Sequence, residues 1–155
     1  MRAISCYLLL IGEWEDAVQE ATDLLEAAPY WHLSPNQMGF CHGSILELDK
    51  ALPYYTKAAH LTQTHYIGFY NLSCIYSLKN ELDLAVEYLK KIVDNDAMVS
   101  SIREAHTRLS HDSDFRNVAV DEVYGSQFRA LELELFPEAP EIDWNNDENS
   151  TYYTY

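Results

Sequence analysis

Three alanines, Ala17, Ala51 and Ala85, are separated by 34 residues and by 34 again, each in the same local frame. The segments Gly12-Glu-Trp-Glu-Asp-Ala17-Val, Leu46-Glu-Leu-Asp-Lys-Ala51-Leu and Asn80-Glu-Leu-Asp-Leu-Ala85-Val align without a gap. A large apolar residue precedes each alanine by three positions (Trp14, Leu48, Leu82) and an acid by two (Glu15, Asp49, Asp83). Twelve positions upstream stands a small residue in every copy, Ser5, Gly39 and Ser73, preceded by Ile4, Met38 and Leu72. Seven positions past the alanines are Leu24, Ala58 and Ile92. A fixed period of this length marks a repeat architecture, in which each unit buries its apolar face only against its neighbours.

Each unit reads as two helices. In the third, Ile67, Leu72, Ile75, Tyr76 and Leu78 follow helical periodicity, Lys79-Asn80-Glu81 makes a turn, and Leu82, Ala85, Val86, Leu89, Ile92 and Val93 form a second stripe. Asp16, Asp49 and Asp83 fall near the start of each second helix, where a carboxylate complements the free amides and the helix dipole. Pro29 falls twelve past Ala17, where a helix should stop. Paired helices approach closely only where no large side chain stands at the crossing, so Gly39, Ser73, Ala51 and Ala85 are expected contact points. Tyr76 and Tyr88 are expected to fill wider gaps.

The run Tyr70-Asn71-Leu72-Ser73-Cys74-Ile75-Tyr76, followed by Leu82-Asp83-Leu84-Ala85, resembles the tetratricopeptide repeat (TPR). The resemblance covers residues 1–99, divided as 1–31, 32–65 and 66–99. The first unit lacks its opening residues, and the second departs at His42, where the family has Tyr. Family resemblance implies an all-α fold: a right-handed α-solenoid of three helical hairpins, its concave face built mainly from first helices.

Beyond it, Met98, Ile102, Ala105 and Leu109 form one amphipathic stripe, and Val123, Phe128, Leu131 and Leu135 another. Residues 100–136 are therefore read as capping helices over the last hairpin's apolar flank. His111-Asp112-Ser113-Asp114-Phe115 with Gln127-Phe128-Arg129-Ala130-Leu131 resembles the closing segment of many bacterial TPR proteins. Pro137 and Pro140 break any helix, and residues 137–155 are read as a mobile acidic tail. Such a tail is solubilising, or, through Ile142, Trp144, Tyr152, Tyr153 and Tyr155, docks on a basic partner or folds back into the groove.

Charge excludes several classes of partner. The chain carries 25 acids against 10 bases, a formal net charge of −15, and no Lys or Arg follows Arg129. Phosphate backbones and anionic lipid both demand clustered positive charge, so neither nucleic acid nor membrane is an expected partner. The longest apolar run, Cys6 to Ile11, is far short of the roughly 20 residues a span needs, and no leader cleavage site follows it. Cys6, Cys41 and Cys74 contain no CxxC pair, which argues against a disulfide framework or a zinc ribbon and for a reducing, cytoplasmic location. Each falls mid-helix as an inert packing thiol.

Neither a phosphate loop nor a nucleophile elbow is present. His60 and His65 are five apart, as are His106 and His111, and neither pair has the i, i+4 spacing of two ligands on one helix face. His42 reads as a core residue, and Asp112, Ser113 and Asp114 as helix caps. Asp143 to Glu148 resembles a calcium loop but lacks its Gly and its final Glu. No catalytic, cofactor-binding or metal-binding residue is expected.

What remains is the groove. The TPR resemblance implies ligand-facing positions at Arg2, Ala3, Cys6 and Leu9, at Leu33, Asn36, Gln37 and Phe40, and at Ile67, Tyr70, Asn71, Cys74 and Ser77. Some TPR proteins clamp an acidic chaperone C-terminus with Lys, Arg and Asn. Only Arg2, Asn36 and Asn71 would contribute here, and a neutral groove of amides and aromatics suits an extended or helical segment with apolar anchors instead. The expected role is a non-catalytic interaction module: an adaptor, co-chaperone-like protein or assembly scaffold that holds a peptide or helix of another protein. The alternatives are a structural subunit that uses the solenoid ends and a metal-handling or enzyme-associated protein. Apolar surface at the N-terminal end predicts self-association or a partner there.

Overall fold

The computed structural model describes residues 12–145, and among the described residues all regular structure is helical. Two compact units divide the chain, Met1–Gln63 and Thr64–Tyr155. The first holds α1 (Trp14–Ala27), α2 (Leu33–Ser44) and α3 (Leu48–Leu61). The second holds α4 (Ile67–Leu78), α5 (Leu82–Val93), α6 (Asp96–Ala105), a 3-10 turn (Ser113–Phe115), the one-turn α7 (Arg116–Ala119) and α8 (Gly125–Leu135). No helix among the described residues is long and apolar enough to cross a membrane.

The 34-residue period is written in the backbone. Three helices begin at Trp14, Leu48 and Leu82. Their N-caps, Glu13, Glu47 and Glu81, share one conformation, with φ of −85°, −78° and −93° and ψ of 63°, 61° and 69°. Immediately before them Gly12, Leu46 and Asn80 all take positive φ, at 82°, 60° and 61°. The same left-handed turn is thus made three times. None of the three caps makes a side-chain hydrogen bond to the helix's own free amides, so the acids of the first turn (Asp16, Asp49, Asp83) act on the helix dipole instead.

Ala17, Ala51 and Ala85 are each 0% exposed. In the first unit α2 and α3 form a hairpin, and the Tyr55 ring lies so close over Gly39 that an added Cβ would sit 2.8 Å from it. Against α2, α1 packs Ala17 and Ala21 on Met38 and Cys41, with Val18 and Tyr54 at the edge. The Cys41 thiol donates to the Ala17 carbonyl at 3.6 Å. In the hairpin of the second unit, Ser73 stands in the register of Gly39 and its hydroxyl donates to the Ala85 carbonyl at 2.6 Å.

The segments after α5 belong to the same compact unit as the α4–α5 hairpin. Met98, Ile102, Phe115, Val118, Phe128 and Leu135 are all buried there. Glu132, 1% exposed, ties the irregular stretch after α6 to α8. Its carboxylate accepts the Leu109 amide at 2.9 Å, the Ser110 amide at 2.7 Å and Arg129 at 2.7 Å. Arg103 donates to the carbonyls of Leu135 and Glu134 at 2.7 and 3.0 Å, which satisfies the open C-terminal end of α8.

The first part of the stretch read as a tail makes contacts with the helices before it. Arg129 donates to the carbonyls of Ala139 at 2.8 Å and Pro140 at 3.2 Å, and Ala139 is buried. Arg116 holds the Trp144 carbonyl at 3.1 Å, and the Trp144 ring meets Phe128 edge-on at 6.4 Å. Two guanidinium groups and one aromatic contact therefore hold 137–145 against α7 and α8. Residues 146–155, with Tyr152, Tyr153 and Tyr155, lie outside the described residues.

Candidate functional site

Ile67, Tyr70, Cys74 and Ser77 recur at three- and four-residue steps, so α4 carries them on one face. That face is covered by the chain's own residues 112–118. The Tyr70 hydroxyl donates to Asp112 Oδ2 at 2.8 Å, and the Cys74 thiol donates to the same oxygen at 3.8 Å. The Val118 amide donates to the Ser77 hydroxyl at 3.4 Å, and the Asn117 amide group to the Ser77 carbonyl at 3.1 Å. The buried carboxylate of Asp112 also accepts the Asp114 amide at 3.0 Å, capping the 3-10 turn. Expected to face a partner, Tyr70, Cys74 and Ser77 are instead buried against this segment, and Ile67 is buried as well. The physical reason is that Phe115 and Val118 need an apolar seat, and Asp112 needs donors, which this face of α4 supplies.

A cluster of rings adjoins it. Tyr70 stacks on His106 with centroids 5.2 Å apart and meets Phe115 edge-on at 5.3 Å. His106 pairs with the Tyr66 hydroxyl at 3.0 Å and stacks on His111 at 4.9 Å. Burial, reinforced by the charges of Asp112 and Asp114, pushes the Cys74 thiol well above its ordinary range. At neutral pH it is a protonated thiol and no nucleophile.

Elsewhere the groove residues divide. Leu33, Phe40 and Asn71 are half-buried, whereas Asn36 and Gln37 are each only 4% exposed. The side-chain nitrogen of Gln37 is buried without a hydrogen-bond partner. Arg2, Ala3, Cys6 and Leu9 lie outside the described residues. His42 takes a packing position: it stacks on Tyr54 at 5.7 Å, meets Trp14 edge-on at 6.2 Å, and pairs through Nδ1 with Glu47 at 2.8 Å. Lys50 bonds the other oxygen of Glu47, also at 2.8 Å, and these two partners hold that carboxyl below its usual range.

Two residues escape sequence reasoning. Asp112 reads as a cap and is one, but its bonds to α4 span about forty residues of chain and leave no local signature. Glu132 sits among exposed-looking acids in Leu131-Glu132-Leu133-Glu134, and only its pairing with Arg129 at i, i+3 hints at a fixed role. No protein-family model matches this chain, and no curated protein matches it.

Proposed function

We propose that this chain is a non-catalytic protein-interaction module of TPR type, its three hairpins following one another in a right-handed solenoid. The observation that carries the reading is the period of 34, present both in the alanine frame and in the torsions at Gly12, Leu46 and Asn80. Its ligand is a peptide or helical segment of another protein. The docking positions are narrower than the sequence implies, because residues 112–118 close the Tyr70, Cys74 and Ser77 face. Leu33 and Phe40, half-buried on α2, are the proposed apolar anchors of the first unit, and Asn71, half-buried on α4, is the proposed contact position of the second. Neither buried thiol, Cys41 nor Cys74, is in a disulfide, as suits a reducing compartment such as the cytoplasm.

The test compares partner recovery from native lysate by the wild type, Phe40→Ala and Asn71→Ala, with helicity checked by circular dichroism. Recovery of a defined partner should fall in both variants at unchanged helicity. Equal recovery by all three would remove the groove reading.

A second reading has its own observation. Tyr30 is 84% exposed and Trp31 46%, side by side in the turn between α1 and α2. A structural subunit that uses this turn as its contact would self-associate or bind a neighbour through the two rings. Sedimentation of the wild type against Tyr30→Ser/Trp31→Ser separates the readings, since a groove-binding monomer is unaffected by the double change.

A further inference from the structure

We propose that Cys74, Asp112 and Asp114 form a zinc site that fastens the segment after α6 to α4. Their donor atoms, one sulfur and two carboxylate oxygens, converge from two separate elements and lie within 4.8 Å of one another. The geometry is close to what the ion requires. With Zn–S of about 2.3 Å and Zn–O of about 2.1 Å, a tetrahedral site has a sulfur-to-oxygen edge of about 3.6 Å. The observed Cys74 Sγ to Asp112 Oδ2 distance is 3.8 Å. Asp114 is half-buried, and its carboxylate, within 4.8 Å of the other two donors, supplies the third corner. Water completes the fourth.

The surroundings suit a metal-bound carboxylate. A ligand of this kind is usually held by outer hydrogen bonds. The Tyr70 hydroxyl already donates to Asp112 Oδ2, and the Asp114 amide to Oδ1. Tyr70 is itself held by stacking on His106. The donor set selects the ion: a thiolate beside two carboxylates suits borderline-soft Zn²⁺, whereas Mg²⁺ and Ca²⁺ take oxygen alone. On binding, the Cys74 S–H bond breaks, its electron pair forms the S–Zn bond, and the proton leaves to solvent; nothing is oxidised or reduced. Such a site is structural, and it stands or falls independently of what docks on the groove.

The experiment uses the full chain, stripped with chelator and titrated with Co²⁺, then Zn²⁺. The expected result is one equivalent of Co²⁺ with a sulfur-to-cobalt charge-transfer band, discharged by Zn²⁺. Cys74→Ser should lose that band and Cys41→Ser keep it. Asp114→Asn should weaken Zn²⁺ binding by about tenfold or more. Absence of stoichiometric uptake, or a band that survives Cys74→Ser, overturns the proposal. Should Cys74→Ser fail to fold, Asp114→Asn decides, because its side chain is only half-buried and unchanged affinity there is equally fatal.

Discussion

Leu46 holds a conformation that L-residues with a Cβ avoid, at a cost of about 1–2 kcal/mol, and its side chain is 71% exposed, so packing returns little of that cost. The equivalent positions hold Gly12 and Asn80, residues that adopt positive φ readily. Leu46→Asn should therefore raise stability by about 1 kcal/mol, read as a higher urea midpoint at unchanged slope. The opposite sign is expected at Gly39. A methyl group there meets the buried ring of Tyr55, and Gly39→Ala should cost about 1–3 kcal/mol by the same measurement. Glu47 supplies a pH signature. Lys50 first, and then His42, lower its carboxyl from the ordinary value of 4.5. A depressed folded pKa adds stability that is fully present above the unfolded value and is lost as pH falls through the folded one. The melting-temperature gap between wild type and Glu47→Gln should hence be largest at neutral pH and close as pH falls through the lowered folded value. A gap that stays constant would show that the ion pairs contribute nothing.

Among the elements, the helices of the 34-residue frame were legible, and so were α6 and α8 from their apolar stripes, whereas the stretch between those two was not. Helix starts at Leu48 and Leu82 follow from the apolar residue three before each alanine, because one side chain both begins the helix and packs it. The burial of Ala17, Ala51 and Ala85 was readable for the same reason. The stretch from His106 to Tyr124 carries no sustained period. Its path is set by a few long-range polar contacts, those of Asp112 with Tyr70, Asn117 with Ser77 and Glu132 with two amides, which no local pattern encodes. The closed face of α4 was illegible on that account, and so was the docking of Trp144. Glu132 offers the sharpest test at this scale. Glu132→Ala leaves the buried amides of Leu109 and Ser110 without acceptors, at about 1–3 kcal/mol each. Hydrogen exchange at these two amides should accelerate together, whereas Glu132→Gln, which retains one oxygen, should be milder.

For the whole molecule the dominant quantity is charge. A net charge of −15 on 155 residues repels itself in the folded state. The exposed ion pairs, such as Lys90 with Asp94 and Lys91 with Glu87, are each worth little. Raising ionic strength from low salt to about 0.15 M shortens the screening length to about 8 Å, so the melting temperature should rise. A fall would mean that attraction between opposite charges outweighs the bulk repulsion.

The joint shared by Gly12, Leu46 and Asn80 has a broader consequence. Three different residues, one of them a leucine, all hold positive φ there, so the bend persists even where the side chain disfavours it. Such a bend behaves as a standard fitting. Whole hairpins become exchangeable at it, and a foreign loop grafted between Ile45 and Glu47 would inherit a prefabricated exit angle without any refitting of the helices on either side.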